Sequence, residues 1–194
     1  MKIKPFKLAK WLLLSGMILL VASFGLKFFA GSNGNPEVSS SSADTINWQS
    51  YDNSNLGISL KYPKDWSHGV LAKDDWILNL LKDNNQVTIR IIENFESIPE
   101  IAILQDVVFD GSGKQPKSIN EFTKVKIGDY EYYKIQTGRF EGVLSYNYYL
   151  PVKNKIFVFS FTAQGVDWTN PNLDEENVPT HLILKQILST VKMR

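Results

Sequence analysis

The sequence contains no cysteine and only two histidines among its 194 residues. Without cysteine the chain forms no disulfide, carries no lipid-modified cysteine and has no thiol nucleophile or thiolate metal site. Sortase-like and Cys-x-x-Cys chemistry are excluded for the same reason. A hydrophobic core must therefore stabilise the fold without disulfide cross-links, and a single domain of this length is large enough to form such a core.

Acidic residues are absent from residues 1–30, which changes the meaning of the net charge of +1. Those thirty residues contain five lysines, so residues 31–194 hold 16 of the 21 basic residues and all 20 acidic residues, a net charge of −4. The average thus conceals a basic, apolar segment followed by a mildly acidic domain. The acidic charge disfavours nucleic-acid binding, and no nucleic-acid partner is expected.

An apolar run extends from Trp11 to Leu26 behind four lysines, and Lys27–Ala30 follows it. At 1.5 Å per residue, twenty residues span about 30 Å, the thickness of a bilayer's hydrocarbon core. The run therefore predicts an uncleaved transmembrane signal-anchor over residues 11–30, preceded by a cytoplasmic basic segment over residues 1–10. The alternative is a cleaved signal peptide, for which Val21–Ser23 offers a small-x-small site.

The position of the lysines also predicts the orientation, because basic residues stay on the cytoplasmic side of a span. The N-terminus is then cytoplasmic, and residues 45–194 form an extracytoplasmic domain on a single-pass membrane protein. Between them, residues 31–44 read GSNGNPEVSSSSAD, a composition too polar to fold. They predict a flexible linker with an r.m.s. span of about 20 Å.

Beyond residue 45, short apolar runs alternate with turn residues, a pattern typical of β-strands. One strand is predicted at Gly57–Tyr62. Three hairpins are predicted from paired runs: Trp76–Leu81 with Val87–Ile92, Phe122–Ile127 with Tyr130–Gln136, and Leu144–Val152 with Ile156–Thr162. In the first turn Asn84 and Asn85 tolerate positive φ. Ile156–Thr162 is apolar on both sides, which indicates a central strand covered on both faces.

The end of the chain changes to helical spacing. Apolar residues recur every three or four positions from Thr180 to Met193, which predicts a helix. Its expected sheet-facing residues are Leu184, Leu188 and Val191.

The segment Ile98–Phe109 is open to two interpretations. A helix would bring Ile101, Leu104 and Val108 into line, and a strand could begin at Ile101; the helix is favoured. Residues 110–117 then form a loop.

Two segments resemble a known family. Trp48–Tyr51 with Gly57–Trp66, and the ending Gln186–Lys192, resemble the opening and final helix of the PsbP-like (Mog1/PsbP fold) domains of bacterial exported proteins. The resemblance implies an α+β fold, in which an antiparallel sheet of about six or seven strands is sandwiched by helices. It also implies a binding or accessory role, since that bacterial group is associated with no established catalysis.

Candidate catalytic residues are few. His68 follows the Tyr-Pro-x-x-Trp motif, and with Asp74 or Asp75 it could form a general base or a metal site. An exposed loop histidine is the simpler interpretation. His181 is expected on the surface, in the first turn of the last helix. No serine-hydrolase motif accompanies either histidine.

Other motifs are incomplete. Gly111–Lys114 lacks the first glycine and the final Ser/Thr of a phosphate-binding loop, and Asp106 with Asp110 lacks the EF-hand spacing. Asp174–Glu176 suits the start of a helix. Six tyrosines in the predicted strands indicate cross-strand packing, or a ligand platform if they are exposed. They are Tyr130, Tyr132, Tyr133, Tyr146, Tyr148 and Tyr149.

The sequence therefore predicts no catalytic, cofactor-binding or metal-binding residue and no cofactor. It predicts a membrane-tethered extracytoplasmic binding or accessory module of the cell envelope, anchored through residues 11–30, with an unidentified envelope protein or ligand as partner. The alternative is an extracytoplasmic hydrolase or metal-binding protein that uses His68 with Asp74 or Asp75. A domain that binds another copy of itself is a third possibility, and the oligomeric state stays open.

Overall fold

The computed structural model describes residue 45 and residues 47–108 and 115–194. The predicted basic segment, anchor and linker over residues 1–44 lie outside the described residues, as does the Gly111–Lys114 motif. Within the described part of the chain, no helix combines the length and apolar character that crossing a bilayer requires.

In the described residues, ten strands make up two antiparallel sheets. Seven strands form the main sheet in the order β3-β4-β5-β9-β8-β7-β6, and three form a small sheet in the order β1-β2-β10. The strands are β1 (Gln49–Asn53), β2 (Ile58–Tyr62), β3 (Ser67–His68), β4 (Trp76–Lys82), β5 (Asn85–Glu93), β6 (Thr123–Ile127), β7 (Tyr130–Phe140), β8 (Val143–Val152), β9 (Lys155–Ala163) and β10 (Lys192–Met193).

The three predicted hairpins are confirmed as β4–β5, β6–β7 and β8–β9. In the first turn the residue with positive φ is Asp83 (φ 54°), and neither predicted asparagine has that conformation. Aspartate tolerates the left-handed region for the same local hydrogen-bonding reason as asparagine. In the second turn Gly128 has φ 59°, and a Cβ there would lie 3.2 Å from the Ser189 carbonyl oxygen.

Strand β9 lies near the centre of the main sheet, and its two faces contact different layers. Phe157, Phe159 and Phe161 face one buried cluster, whereas Ile156 and Val158 face the other. The prediction of a central strand that is covered on both sides is confirmed.

The first helix, α1 (Pro99–Asp106), confirms the helical interpretation of this segment. It buries Ala102 and Ile103, while Ile101 is 44% exposed and Val108 71% exposed. Two of the three apolar residues that the sequence pattern aligned, Ile101 and Val108, therefore face mainly toward solvent and not toward the main sheet. The physical reason is an ion pair at the end of the helix: Asp106 binds Arg90 of β5 and so fixes the rotation of α1 on the sheet.

The second helix, α2 (Pro179–Ser189), ends four residues before the predicted end at Met193. Thr190 is the reason, since its hydroxyl accepts from the Lys61 amide at 2.9 Å and donates to the Ile187 carbonyl at 2.7 Å. The chain then pairs with β2 as β10. The predicted sheet-facing residues Leu184, Leu188 and Val191 are all buried, although Val191 lies beyond the helix.

These elements form three layers. Helix α1 covers one face of the main sheet, and α2 and the small sheet cover the other face. The predicted α+β fold, with an antiparallel sheet of seven strands and helices on both faces, is confirmed for the described residues. The transmembrane helix of that prediction lies outside them.

Candidate functional site

Four tyrosine phenols on β7 and β8 connect the main sheet to the C-terminal segment. Tyr132 and Tyr148 are buried, and Tyr130 and Tyr146 are partly buried against the same core cluster, so the four rings form cross-strand packing. The contacts are Tyr130 Oη accepting from the Met193 amide (2.9 Å), Tyr132 Oη donating to the Leu188 carbonyl (3.3 Å), Tyr146 Oη donating to the Glu175 carboxylate (2.6 Å) and Tyr148 Oη bonded to His181 Nε2 (2.5 Å).

His181 is fully buried, so the expectation of a surface histidine was wrong. Its ring stacks against both Tyr146 and Phe161, with centroid distances of 5.0 and 4.6 Å, and these two rings are cross-strand neighbours. Helical spacing explains the burial, because His181 lies three and seven residues before Leu184 and Leu188 on the sheet-facing side of α2. That spacing was the signal in the sequence.

The hydrogen bonds of His181 fix its protonation state. Nδ1 lies 2.7 Å from the Glu175 carbonyl oxygen, which can only accept, so Nδ1 carries the proton and Nε2 accepts from Tyr148. Burial, together with the cations Lys185 and Lys134, lowers the pKa of His181 to about 4, although the Glu175 carbonyl and the Glu176 carboxylate act in the opposite direction. His181 is therefore neutral at pH 7, and its one lone pair is engaged.

A second group of contacts surrounds the start of α2, where Glu176 pairs with both Lys134 and Lys185. The two lysine side chains are only 11% and 10% exposed, and Lys185 Nζ also donates to the Glu176 carbonyl at 2.8 Å. Burial alone would raise the pKa of Glu176, but the lysine hydrogen bonds hold that pKa down to about 2. This carboxylate stays ionised at any physiological pH.

Glu175 is engaged in the same way. Its carboxylate accepts from Gln136 Nε2 at 2.8 Å and from Tyr146 Oη at 2.6 Å, and Arg139 lies 3.5 Å away. The Arg139 guanidinium also lies 4.6 Å from the ring centroid of Trp168, a cation–π contact. Glu175 and Glu176, which precede α2 in the sequence, therefore connect the start of this helix to β7 and β8 of the main sheet.

Of these residues, Lys134, Gln136, Tyr146 and Glu176 line an open cleft of about 500 Å³ at the β6 edge of the main sheet, which we call the rim cleft. The Glu121 carboxylate is also engaged, because it accepts from the amides of Lys117 and Ser118. Within the described residues, each ionised group that lines the rim cleft thus has a partner of its own. The lining residues are Glu121, Thr123, Lys134, Ile135, Gln136, Tyr146 and Glu176.

Sequence reasoning missed this cleft, because Lys134 and Glu176 are 42 residues apart and no local motif joins them. The long-range pairing of β6, β7 and the segment before α2 creates it. Alternating polar residues at Lys134 and Gln136 were the only hint.

The structure separates the residues proposed for a hydrolase or a metal site. His68 Nε2 bonds to Tyr62 Oη at 2.6 Å and lies opposite Leu80 on β4. Asp75 lies five residues from Leu80 along the chain, about 16 Å at the rise of a strand, and contacts Arg90 at 3.7 Å. Asp74 precedes Asp75 in the same loop. The structure therefore does not bring His68 together with either aspartate.

The remaining acidic candidates have structural partners. The Asp106 carboxylate accepts hydrogen bonds from two guanidinium nitrogens of Arg90. It also accepts one from the Tyr149 phenol, at 3.0 Å. Asp110 lies outside the described residues. Asp174 caps the short 3₁₀ helix Glu175–Asn177. Among the residues that the structure describes, no three His, Cys, Asp or Glu side chains are grouped to hold a metal ion.

The sequence matches no protein-family model and no curated protein. Solved structures nevertheless share the fold. A Bacteroides thetaiotaomicron protein is 14% identical, with a TM-score of 0.50 and 77% of this chain covered. This chain spans only 49% of that protein.

The cyanobacterial PsbP (CyanoP) of Synechocystis sp. PCC 6803 is 11% identical, with a TM-score of 0.51, and 85% of this chain and 99% of CyanoP are covered. LpqN, involved in cell envelope biogenesis of Mycobacterium tuberculosis, is 17% identical with a TM-score of 0.39, covering 81% of this chain and 98% of LpqN. At these identities a likeness shows the fold alone. The described domain has the PsbP-like (Mog1/PsbP) fold, which confirms the resemblance found in the sequence.

Proposed function

We propose that this protein is a membrane-tethered, extracytoplasmic binding or accessory module of the cell envelope and not an enzyme. Residues 1–44 supply the basic segment, the apolar anchor and the polar linker in that order. The described domain supplies a folded body whose rim cleft and sheet faces can present a surface to a partner.

One observation supports the proposal that the protein is not an enzyme: the charged side chains that line the rim cleft already have ion-pair or hydrogen-bond partners. A general base needs a free lone pair near neutral pH, and a nucleophile needs a base beside it. Lys134 is held by Glu176, and the neutral His181, which stacks on Tyr146 of the cleft wall, is buried with both nitrogens bonded. Such a wall binds and orients a ligand but moves no proton.

Membrane association is tested with the full chain expressed in its own cell type. The protein should stay in the membrane pellet after an alkaline carbonate wash, and protease added to spheroplasts should remove the domain over residues 45–194. Release into the wash would contradict the tether. Protection from protease in intact spheroplasts, with cleavage only after lysis, would contradict the orientation.

Binding at the rim cleft is tested by crosslinking in intact membranes. Thr123→Arg places a long cation in the cleft, and Asn120→Arg adds the same charge to an exposed residue outside it. A partner crosslinked to the wild type and to Asn120→Arg, but lost with Thr123→Arg, supports the proposal. Equal recovery from all three chains would place binding elsewhere, and hydrolytic turnover by the purified chain would contradict the non-catalytic assignment.

A further inference from the structure

The small sheet has one buried face and one open face. Strand β2 alternates strictly, with Ile58, Leu60 and Tyr62 buried against the main sheet. The other side of the sheet is polar and faces solvent. We call it the basic face; its residues are Ser50, Asp52, Ser59, Lys61, Lys192 and Arg194.

The basic face has a charge opposite to that of the domain. It holds three basic residues and one acid, Asp52, whose carboxylate is paired with Arg194 at 2.5 Å. In the described part of the chain, neither Lys61 nor Lys192 has a carboxylate within 4.0 Å of its ammonium group. Residues 45–194 hold 16 basic and 18 acidic residues, a net charge of −2, whereas the side chains of this face carry +2, so the acidic excess of the domain lies on its other surfaces.

The position of this face relative to the linker is also informative. Strand β1 is the first strand in the described part of the chain, begins at Gln49 and forms an edge of the small sheet. The linker over residues 31–44 ends only five residues earlier in the sequence. In the proposed tether, this edge is therefore the part of the described domain that lies nearest to the anchor along the chain.

We propose that the basic face docks on the anionic headgroups of the membrane that holds the anchor; this proposal rests on the tether proposed above. Each lysine at an anionic lipid surface favours the docked orientation about fivefold, so Lys61 and Lys192 together favour it about 25-fold. The face is polar, and its exposed groups include no large apolar side chain. It therefore lies at the headgroups without inserting.

The absence of cysteine makes the orientation measurable, since one introduced cysteine takes up a single fluorophore. Ser50→Cys places the label on the basic face, and Asn120→Cys places it on the layer of α1, at the opposite side of the main sheet. Two layer spacings separate these positions, about 20 Å. Each labelled full-length chain is reconstituted into phosphatidylcholine vesicles with and without 30% phosphatidylglycerol, carrying a quencher on the headgroups.

In anionic vesicles the label at Ser50→Cys should be quenched more strongly than the label at Asn120→Cys. This difference should shrink in neutral vesicles and at 1 M salt, where the screening length is about 3 Å. Lys61→Gln with Lys192→Gln should lower the docked-to-undocked ratio about 25-fold. Lys73→Gln with Lys126→Gln, an equal charge change on other exposed residues, should leave it unchanged.

Equal quenching at the two positions in anionic vesicles would overturn the proposal. An acidic protein would then be the remaining candidate partner for the basic face. Flotation separates this failure from failure of the tether. A chain that floats with neutral vesicles at 1 M salt is tethered, whatever its orientation. A chain that does not float contradicts the tether itself.

Discussion

The hydroxyl of Tyr148 donates a hydrogen bond to His181 Nε2 over 2.5 Å, inside the layer between the main sheet and α2. The opposite ring nitrogen donates to the Glu175 carbonyl. One neutral imidazole thus joins β8, the segment before α2, and α2 itself. Because protonation of Nε2 breaks this arrangement, the attachment of the C-terminal segment depends on pH.

We expect the domain to lose stability as the pH falls from about 6.5 to about 4, the lowered pKa of His181. The unfolded chain binds a proton in this interval and the folded chain does not, so each step down in pH favours unfolding, by about 3 kcal/mol in total. Urea denaturation in His181→Gln should lack this slope. His68→Gln replaces the exposed histidine and should retain it; equal slopes in both variants would remove His181 as the cause.

Leu188→Ala should lower the free energy of unfolding by about 2 to 5 kcal/mol, since it opens a cavity under α2. The matched control is Leu182→Ala on the same helix, where the side chain is 39% exposed and the cost should stay within about 0.5 kcal/mol. The measurement is chemical denaturation followed by tryptophan fluorescence. Unfolding of Leu188→Ala at the wild-type midpoint would show that the helix does not pack as described.

Glu176→Gln should destabilise the domain by about 1 to 3 kcal/mol, because two nearly buried lysines lose their counter-charge. Glu131→Gln removes the partner of the exposed Lys124 and should cost less than about 1 kcal/mol. Thermal denaturation at low and high salt measures both. Equal losses of unfolding free energy in the two variants would mean that burial does not strengthen the ion pairs of Glu176.

Asp106→Asn should cost about 3 kcal/mol or more, since it leaves the largely buried Arg90 without its bidentate partner. The control is Asp75→Asn, whose carboxylate lies 3.7 Å from the same guanidinium and is more exposed. Hydrogen exchange should show α1 losing protection before the main sheet does. An unchanged exchange rate in α1 would contradict the role of this ion pair in fixing the helix.

The sequence predicted those parts of the fold that are written in local patterns. Alternation and turn residues located the three hairpins and β9, and the spacing of Leu184 and Leu188 located α2. The predicted end of α2 was wrong, because the helix ends where Thr190 bonds to Lys61, 129 residues away in the sequence. No window of neighbouring residues contains that information.

The candidate site was less predictable for the same reason. Arg90 pairs with Asp106, and Lys134 with Glu176, only after the strands have paired. The burial of His181 was readable in principle, since it shares a helical stripe with two leucines. Charge and polarity suggested the surface instead, because the stacking partners on β8 and β9 are visible only in the folded sheet.

The central claim, a folded envelope module that remains tethered by its own N-terminal segment, is tested most directly by the intact mass of the protein extracted from membranes. The account predicts the mass of the uncleaved chain, with residues 1–30 still present. A mass that corresponds to a chain beginning after the small-x-small site at Val21–Ser23 would contradict it, because the domain would then be released without an anchor.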